Sequence, residues 1–106
     1  MITTPASGIQ GQRVSKTFGM VIGNTIRARH LGRDIVAGLK GLVGGEIEEY
    51  TKMMAEARDQ SVDRMKREAE SLGANAITDV RFMTSYIMGG AAEVLVFGNA
   101  VTVESE

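Results

Sequence analysis

A small single-domain α+β subunit is the fold class this sequence predicts, and three observations predict it. A run rich in β-branched residues, QRVSKTFGMVIGNTIRA, fills positions 12–28. Apolar residues then recur at helical spacing over 46–72, and two more β-rich runs, at about 76–87 and 92–103, close the chain. One strand region, a helical middle and a terminal strand pair describe α+β rather than an alternating α/β pattern. At 106 residues the whole chain, 1–106, reads as one domain with a limited core.

Taken in order, Pro5 belongs in a turn or on a sheet edge, because it brings no ladder donor. Gly19 and Gly23 interrupt the first strand, which predicts one long strand, or two short ones, bent or bulged at a glycine. In RDIVAGLKGLVGG (33–45), Ile35, Val36, Leu39, Leu42 and Val43 are spaced for a short helix. Its glycines at 32, 38, 41 and 44 each cost about 1 kcal/mol against alanine, a penalty that close approach of another backbone would offset. This glycine-rich stretch lacks the Gly-Lys-Ser/Thr ending of a phosphate loop and does not match G-x-G-x-x-G.

The long helix is the clearest element. Ile47, Tyr50, Met54, Ala57, Ser61, Met65, Ala69 and Leu72 draw one stripe, with charged residues around the rest of the surface. Glu48 with Lys52, and Asp63 with Arg67, are i,i+4 pairs in the favourable order. Glu46, Glu48 and Glu49 suit the positive end of the helix dipole. Gly73 is placed to cap the C-terminus in the left-handed conformation, so SLGANAITDVRF is a helix stop feeding a strand. In that strand, Thr78, Val80, Phe82, Thr84 and Tyr86 are expected to share a face. MGGAA makes the hairpin connection. The final strand is apolar on both sides, with Val94 and Val96 on one and Leu95, Phe97, Val101 and Val103 on the other. With a single helix layer, the second side needs a cover, and another subunit is the simplest one.

Composition narrows the function classes. A hydrophobic content of 43% supports a folded globule, while only 5% aromatics and no tryptophan leave the core few large anchors, so burial between subunits would add stability. Twelve basic against thirteen acidic side chains disfavour nonspecific nucleic-acid binding. No cysteine means no disulfide, thiolate zinc site or cysteine nucleophile. The N-terminus lacks the pattern of a signal peptide and no run spans a bilayer, so a soluble cytoplasmic protein is expected, with no membrane partner.

Taken together, RD at 33–34, GG at 44–45, Tyr50, AR at 57–58, LGANAI at 72–77 and the closing GNAVTV resemble the YbjQ family, over nearly the whole chain. These are small bacterial and archaeal proteins described as heavy-metal-binding and otherwise largely uncharacterised. The resemblance implies a dodecin-like subunit, strand, helix and β-hairpin, assembled into a homopentameric ring. It brings no catalytic residues.

The ligand-binding candidates lie at the first strand's end. His30 and Asp34 are four apart, with Glu46, Glu48 and Glu49 nearby in sequence, but one imidazole with scattered carboxylates falls short of the three or four ligands a metal site needs. The plainer reading is an exposed His30 at a strand–helix junction, with Asp34 as a structural cap. Arg27, Arg29, His30 and Arg33 form a cationic group able to hold an anion, or to pair with the acids at 46–49. Met53 and Met54 point about 100° apart on a helix and read as core filling rather than a copper site. No nucleophile, base and orienting residue fall into a pattern, so no enzyme, cofactor or metal is assigned. The expectation is a cytoplasmic homo-oligomer, five copies by the resemblance, acting as a binding or structural protein. Heavy-metal binding is the alternative, and an unidentified small molecule or anion between subunits the next; the ligand-binding candidates are Arg29, His30, Arg33 and Asp34.

Overall fold

The computed structural model describes residues 1–28, 45–87 and 90–106, and the side chains of 45–49 are not described. The expected short helix at 33–45, with its glycines, therefore lies outside the described residues up to its last position. The described elements run β1 (Ile2–Thr3), β2 (Gln12–Ala28), α1 (Gly45–Leu72), β3 (Ala76–Ile87) and β4 (Ala91–Ser105). The four strands form one mixed sheet in the order β1-β3-β4-β2, with β1 parallel to β3 and both other pairings antiparallel. The α+β class is thus present.

β2 is one continuous strand. Its register with β4 slips between Val14 and Lys16 and again between Thr17 and Gly19, and Gly19 has φ +107°. The bulge therefore falls at the first candidate glycine, where only a residue without Cβ adopts that angle cheaply. Gly23 serves contact instead of bending. A Cβ there would stand 1.9 Å from the Ser61 carbonyl oxygen and 2.6 Å from the Met65 amide nitrogen, both helix backbone. Missing side-chain volume lets α1 lie directly on β2.

On α1, Ala57, Ser61, Met65 and Ala69 are fully buried, as the stripe predicted, whereas Leu72 is 45% exposed. The stripe ends one turn early because the helix stops there: the Gly73 amide donates to the Glu70 carbonyl at 3.0 Å and the Ala74 amide to the Ala69 carbonyl at 3.1 Å. With Gly73 at φ +93°, this pair of bonds is the Schellman arrangement. Asp63 and Arg67 do not form the expected ion pair. Among the described residues the ion pairs are Arg13–Glu104 and Arg27–Glu56, and an exposed i,i+4 attraction of a few tenths of a kcal/mol does not hold two long side chains in place.

Beyond the cap, Asn75 acts as an extra rung of the ladder. Its side chain donates to the Val103 carbonyl at 3.0 Å and accepts from the Val103 amide at 2.8 Å. The helix-to-strand switch is thereby locked to β4. Three residues later β3 bulges, with Asp79 at φ +55° and a register shift between Thr78 and Arg81. This corrects the expected face. Val80, not Thr78, joins Ile77 under the helix, because the extra residue inverts the alternation.

The core comprises Val21, Met65, Ala69, Ile77, Val80, Val96 and Ala100, with Phe18 and Val62 against it. Each large aliphatic among them contributes roughly 1.5–3 kcal/mol by burial. A smaller cluster, Ala76, Val101 and Val103 with Ile9, lies on the reverse face. The expected second cover of β4 is thus supplied at this end by the chain's own N-terminal segment. That segment is pinned to the bulge: the Asp79 amide donates to the Ala6 carbonyl and the Val80 amide to the Thr4 carbonyl. Arg81 donates to the Pro5 carbonyl at 2.8 Å. Two-residue β1 follows from this pinning.

Candidate functional site

Arg29, His30, Arg33 and Asp34, the candidates from the sequence, lie outside the described residues, and with them the proposed cationic group apart from Arg27. Arg27 donates to Glu56 at 3.4 Å and to Gln60 at 2.9 Å, so α1 already satisfies it. It borders an open groove of about 420 Å³ lined by Glu56, Asp59, Gln60, Asp63, Arg64 and Arg67. Charges of both signs alternate there, which is a solvated helix flank. Among the described residues, no group of three or more His, Cys, Asp or Glu stands together as a metal site. No helix of the described residues is long and apolar enough to cross a membrane.

Two phenols meet where α1 begins and β3 ends. Burial is the main cause that raises the Tyr50 phenol above its ordinary value of 10.0, followed by the charge of Tyr86 and a hydrogen bond shared with it. Tyr86 itself is 74% exposed. The pair ties the helix to the outer strand and has no neighbouring base among the described residues.

The polar group deepest in the molecule is structural. Ser61 is wholly buried and its hydroxyl lies 2.8 Å from the Ala57 carbonyl, 3.0 Å from the Val94 carbonyl and 3.0 Å from the Thr25 hydroxyl. These partners stitch α1 to β2 and β4 at one point, as a buried hydroxyl requires.

What remains unpartnered is surface. α1 lies across β2 and β4 and barely touches β3. On the sheet face away from α1, register aligns Ile22, Phe97 and Arg81 in one row and Asn24, Leu95 and Met83 in the next. Met20, Ile22, Ile26, Met83 and Ile87 are all at least 41% exposed on this face. The apolar side chains on this face are interleaved with Asn24, Arg81, Glu93 and Ser85, and exposed apolar residues gathered on one face are less ordinary than scattered ones. Periodicity in the last strand pointed to it. The contribution of β2 and β3 was missed, although Met20, Ile22 and Ile26 alternate in plain view.

The geometry defines a class: a small α+β domain, helix on one side of a sheet whose other side, among the described residues, carries many exposed apolar side chains. The chain belongs to the YbjQ family, whose model, described as "Putative heavy-metal-binding", matches residues 1–104. A UPF0145 protein of Methanosarcina acetivorans is 50% identical over 103 residues, covering 97% of each chain. A UPF0145 protein of Dehalococcoides mccartyi is 54% identical over 104 residues, 98% of this chain and all of that one. The fold is also similar to the crystal structure of a protein of unknown function from the DUF74 family of Pediococcus pentosaceus. That likeness has a TM-score of 0.62 at 16% identity and covers 98% of each chain.

Proposed function

We propose that this protein is a homo-oligomeric binding or structural protein of the cytoplasm rather than an enzyme, its five copies closing a ring. The observation that carries the reading is the apolar sheet face opposite α1. Burying Met20, Ile22, Ile26 and Met83 against a neighbouring copy would recover roughly 1.5–3 kcal/mol for each side chain fully covered. The five-fold count comes from the family resemblance. Native mass spectrometry tests it: a single species of five chains is expected, and a monomer alone contradicts it.

The family description favours a second reading, a bound heavy metal. The donors present do not fit a thiophilic ion within one chain: there is no cysteine, and no cluster of three His, Asp or Glu among the described residues. In a ring, however, one donor per chain near the axis becomes five converging donors. Such a ring suits a hard cation where carboxylates such as Asp34 converge, or an anion where Arg29, His30 and Arg33 do, these four being the residues proposed to bind a ligand. Calorimetric titration of the unmodified protein with Zn²⁺ and Cd²⁺ is expected to give no tight binding. Submicromolar binding lost in His30→Ala would establish the heavy-metal reading instead.

A further inference from the structure

The buried stripe of α1 has a flank on either side, and the two flanks are used differently. On the flank toward β2, Glu56, Gln60, Arg64 and Glu68 recur every four residues, and all of them hold that strand. Glu68 accepts from the Ile22 amide at 3.3 Å, Arg64 donates to the Asn24 carbonyl at 2.6 Å, and Glu56 and Gln60 take Arg27. The same spacing on the opposite flank gives Tyr50, Met54, Arg58 and Val62. Both ends of that row face β3: Tyr50 meets Tyr86, and Val62 lines a cleft together with Phe82. Arg58 therefore stands on the β3 side, one helical turn before Val62.

A trough runs between this flank and the strand. Val80 lies under the helix, so alternation turns Phe82, Thr84 and Tyr86 to the same side. Because α1 barely reaches over β3, Phe82 is 50% exposed, while its β4 partner Val96 is fully buried. Where the trough meets the N-terminal segment it deepens into a cleft of about 140 Å³. Val62, Met65, Val80 and Phe82 wall this cleft, and Thr4 and Pro5 close it. Its size is near the ~150 Å³ that accommodates a benzene ring in an apolar protein interior.

Arg58 is the independent observation. Each other basic side chain of α1 has an acid three or four residues away: Lys52 has Glu56, Arg64 has Glu68, and Lys66 and Arg67 share Asp63 and Glu70. At those offsets from Arg58 stand Met54, Ala55, Ser61 and Val62. Among the described residues Arg58 makes no ion pair or hydrogen bond, and the β3 side chains across the trough carry no charge.

We propose that the trough between α1 and β3 binds a small aryl or branched-alkyl carboxylate, its apolar group in the cleft beside Val62 and Phe82 and its carboxylate on Arg58. One turn of helix, about 6 Å, separates the two positions, which a ring and a short acid arm span. Arginine takes a carboxylate through two parallel N–H donors, and apolar walls with one placed charge are the usual make-up of a small-molecule site. An inorganic anion would leave the cleft unfilled, and a neutral hydrocarbon would leave Arg58 unpaired. The site is contained in one chain, so it goes beyond the assembly reading and does not depend on it.

Titration of the unmodified full chain with phenylacetate, followed by amide chemical shifts, is the test. Saturable shifts at Arg58, Val62, Val80 and Phe82 are expected, with a Kd of about 1 mM or below. Arg58→Gln, at an exposed position, should keep the circular dichroism of the fold and weaken phenylacetate at least ~10-fold, while Arg58→Lys retains most of the affinity. The neutral phenylacetamide should bind the unmodified chain about as weakly as phenylacetate binds Arg58→Gln. No saturable binding up to about 10 mM overturns the site. Binding that Arg58→Gln leaves unchanged, or shifts confined to the reverse face of the sheet, overturns it as well.

Discussion

Beneath α1 the sheet presents Val21, Gly23, Thr25, Val94, Val96 and Gly98, all buried; one residue along the same strands, on the reverse face, stand Met20, Ile22, Ile26, Leu95 and Phe97. The two faces are both apolar. What separates them is size. The helix side is stocked with small and β-branched residues that let backbones meet, and a Cβ on Gly98 would already lie 2.6 Å from Ile77 and 2.9 Å from the Thr78 carbonyl oxygen. The reverse side carries long, adaptable side chains suited to a second, looser surface. Under the proposed assembly, the contrast is between an intramolecular contact and an intermolecular one.

The contrast breaks most visibly at Gly23. Gly23→Ala would drive a methyl group into the backbone of α1, lifting the helix at a cost of about 3 kcal/mol or more, measured by denaturant unfolding. A variant of unchanged stability would mean that helix and strand are not in contact there. Ser61→Ala strands the Thr25 hydroxyl in the core and should cost about 1–2 kcal/mol in the same assay. Gly73→Ala places a Cβ at φ +93° and should cost about 1 kcal/mol. Because nothing presses on Gly73 except the Phe18 ring at 3.8 Å, the loss is conformational and Gly73→Asn should recover part of it. On the reverse face, Ile26→Lys sets a cation opposite Glu93 and should change subunit stability by no more than about 0.5 kcal/mol. Its effect should appear in sedimentation, as dissociation, and a variant that stays assembled would remove Ile26 from the interface.

The smallest effect concerns the tyrosine pair. Folding raises the Tyr50 phenol, so its neutral form is favoured in the folded chain. The stabilisation is complete below the ordinary value of 10.0 and is lost as pH rises through the folded one. Tyr86→Phe should lower the tyrosinate titration midpoint of Tyr50. An unmoved midpoint would leave burial as the whole cause.

Much of this fold was legible because period and punctuation agreed. Helical spacing from Tyr50 to Ala69, ended by Gly73, set α1 within a residue or two, and β-branched runs placed three strands. β1 was not legible, since two residues carry no pattern and only the contacts of Thr4 and Ala6 with β3 create it. The bulge at Asp79 was also hidden: an aspartate in the left-handed region is held by its neighbour Thr78 and by tertiary bonds with Asn99 and Ala6, and sequence period assumes an unbroken strand. Site reading was less complete. Residue type picked Arg29, His30, Arg33 and Asp34, whereas the surface that stands out in the described structure is defined by register across three strands, which no single segment displays.

Sedimentation equilibrium of the unmodified protein, diluted through the micromolar range, tests most directly whether the apolar reverse face is an interface. A stable species of five chains is the predicted result. A monomer that stays folded and soluble across that range would contradict it, for Met20, Ile22, Ile26 and Met83 would then face water without a partner.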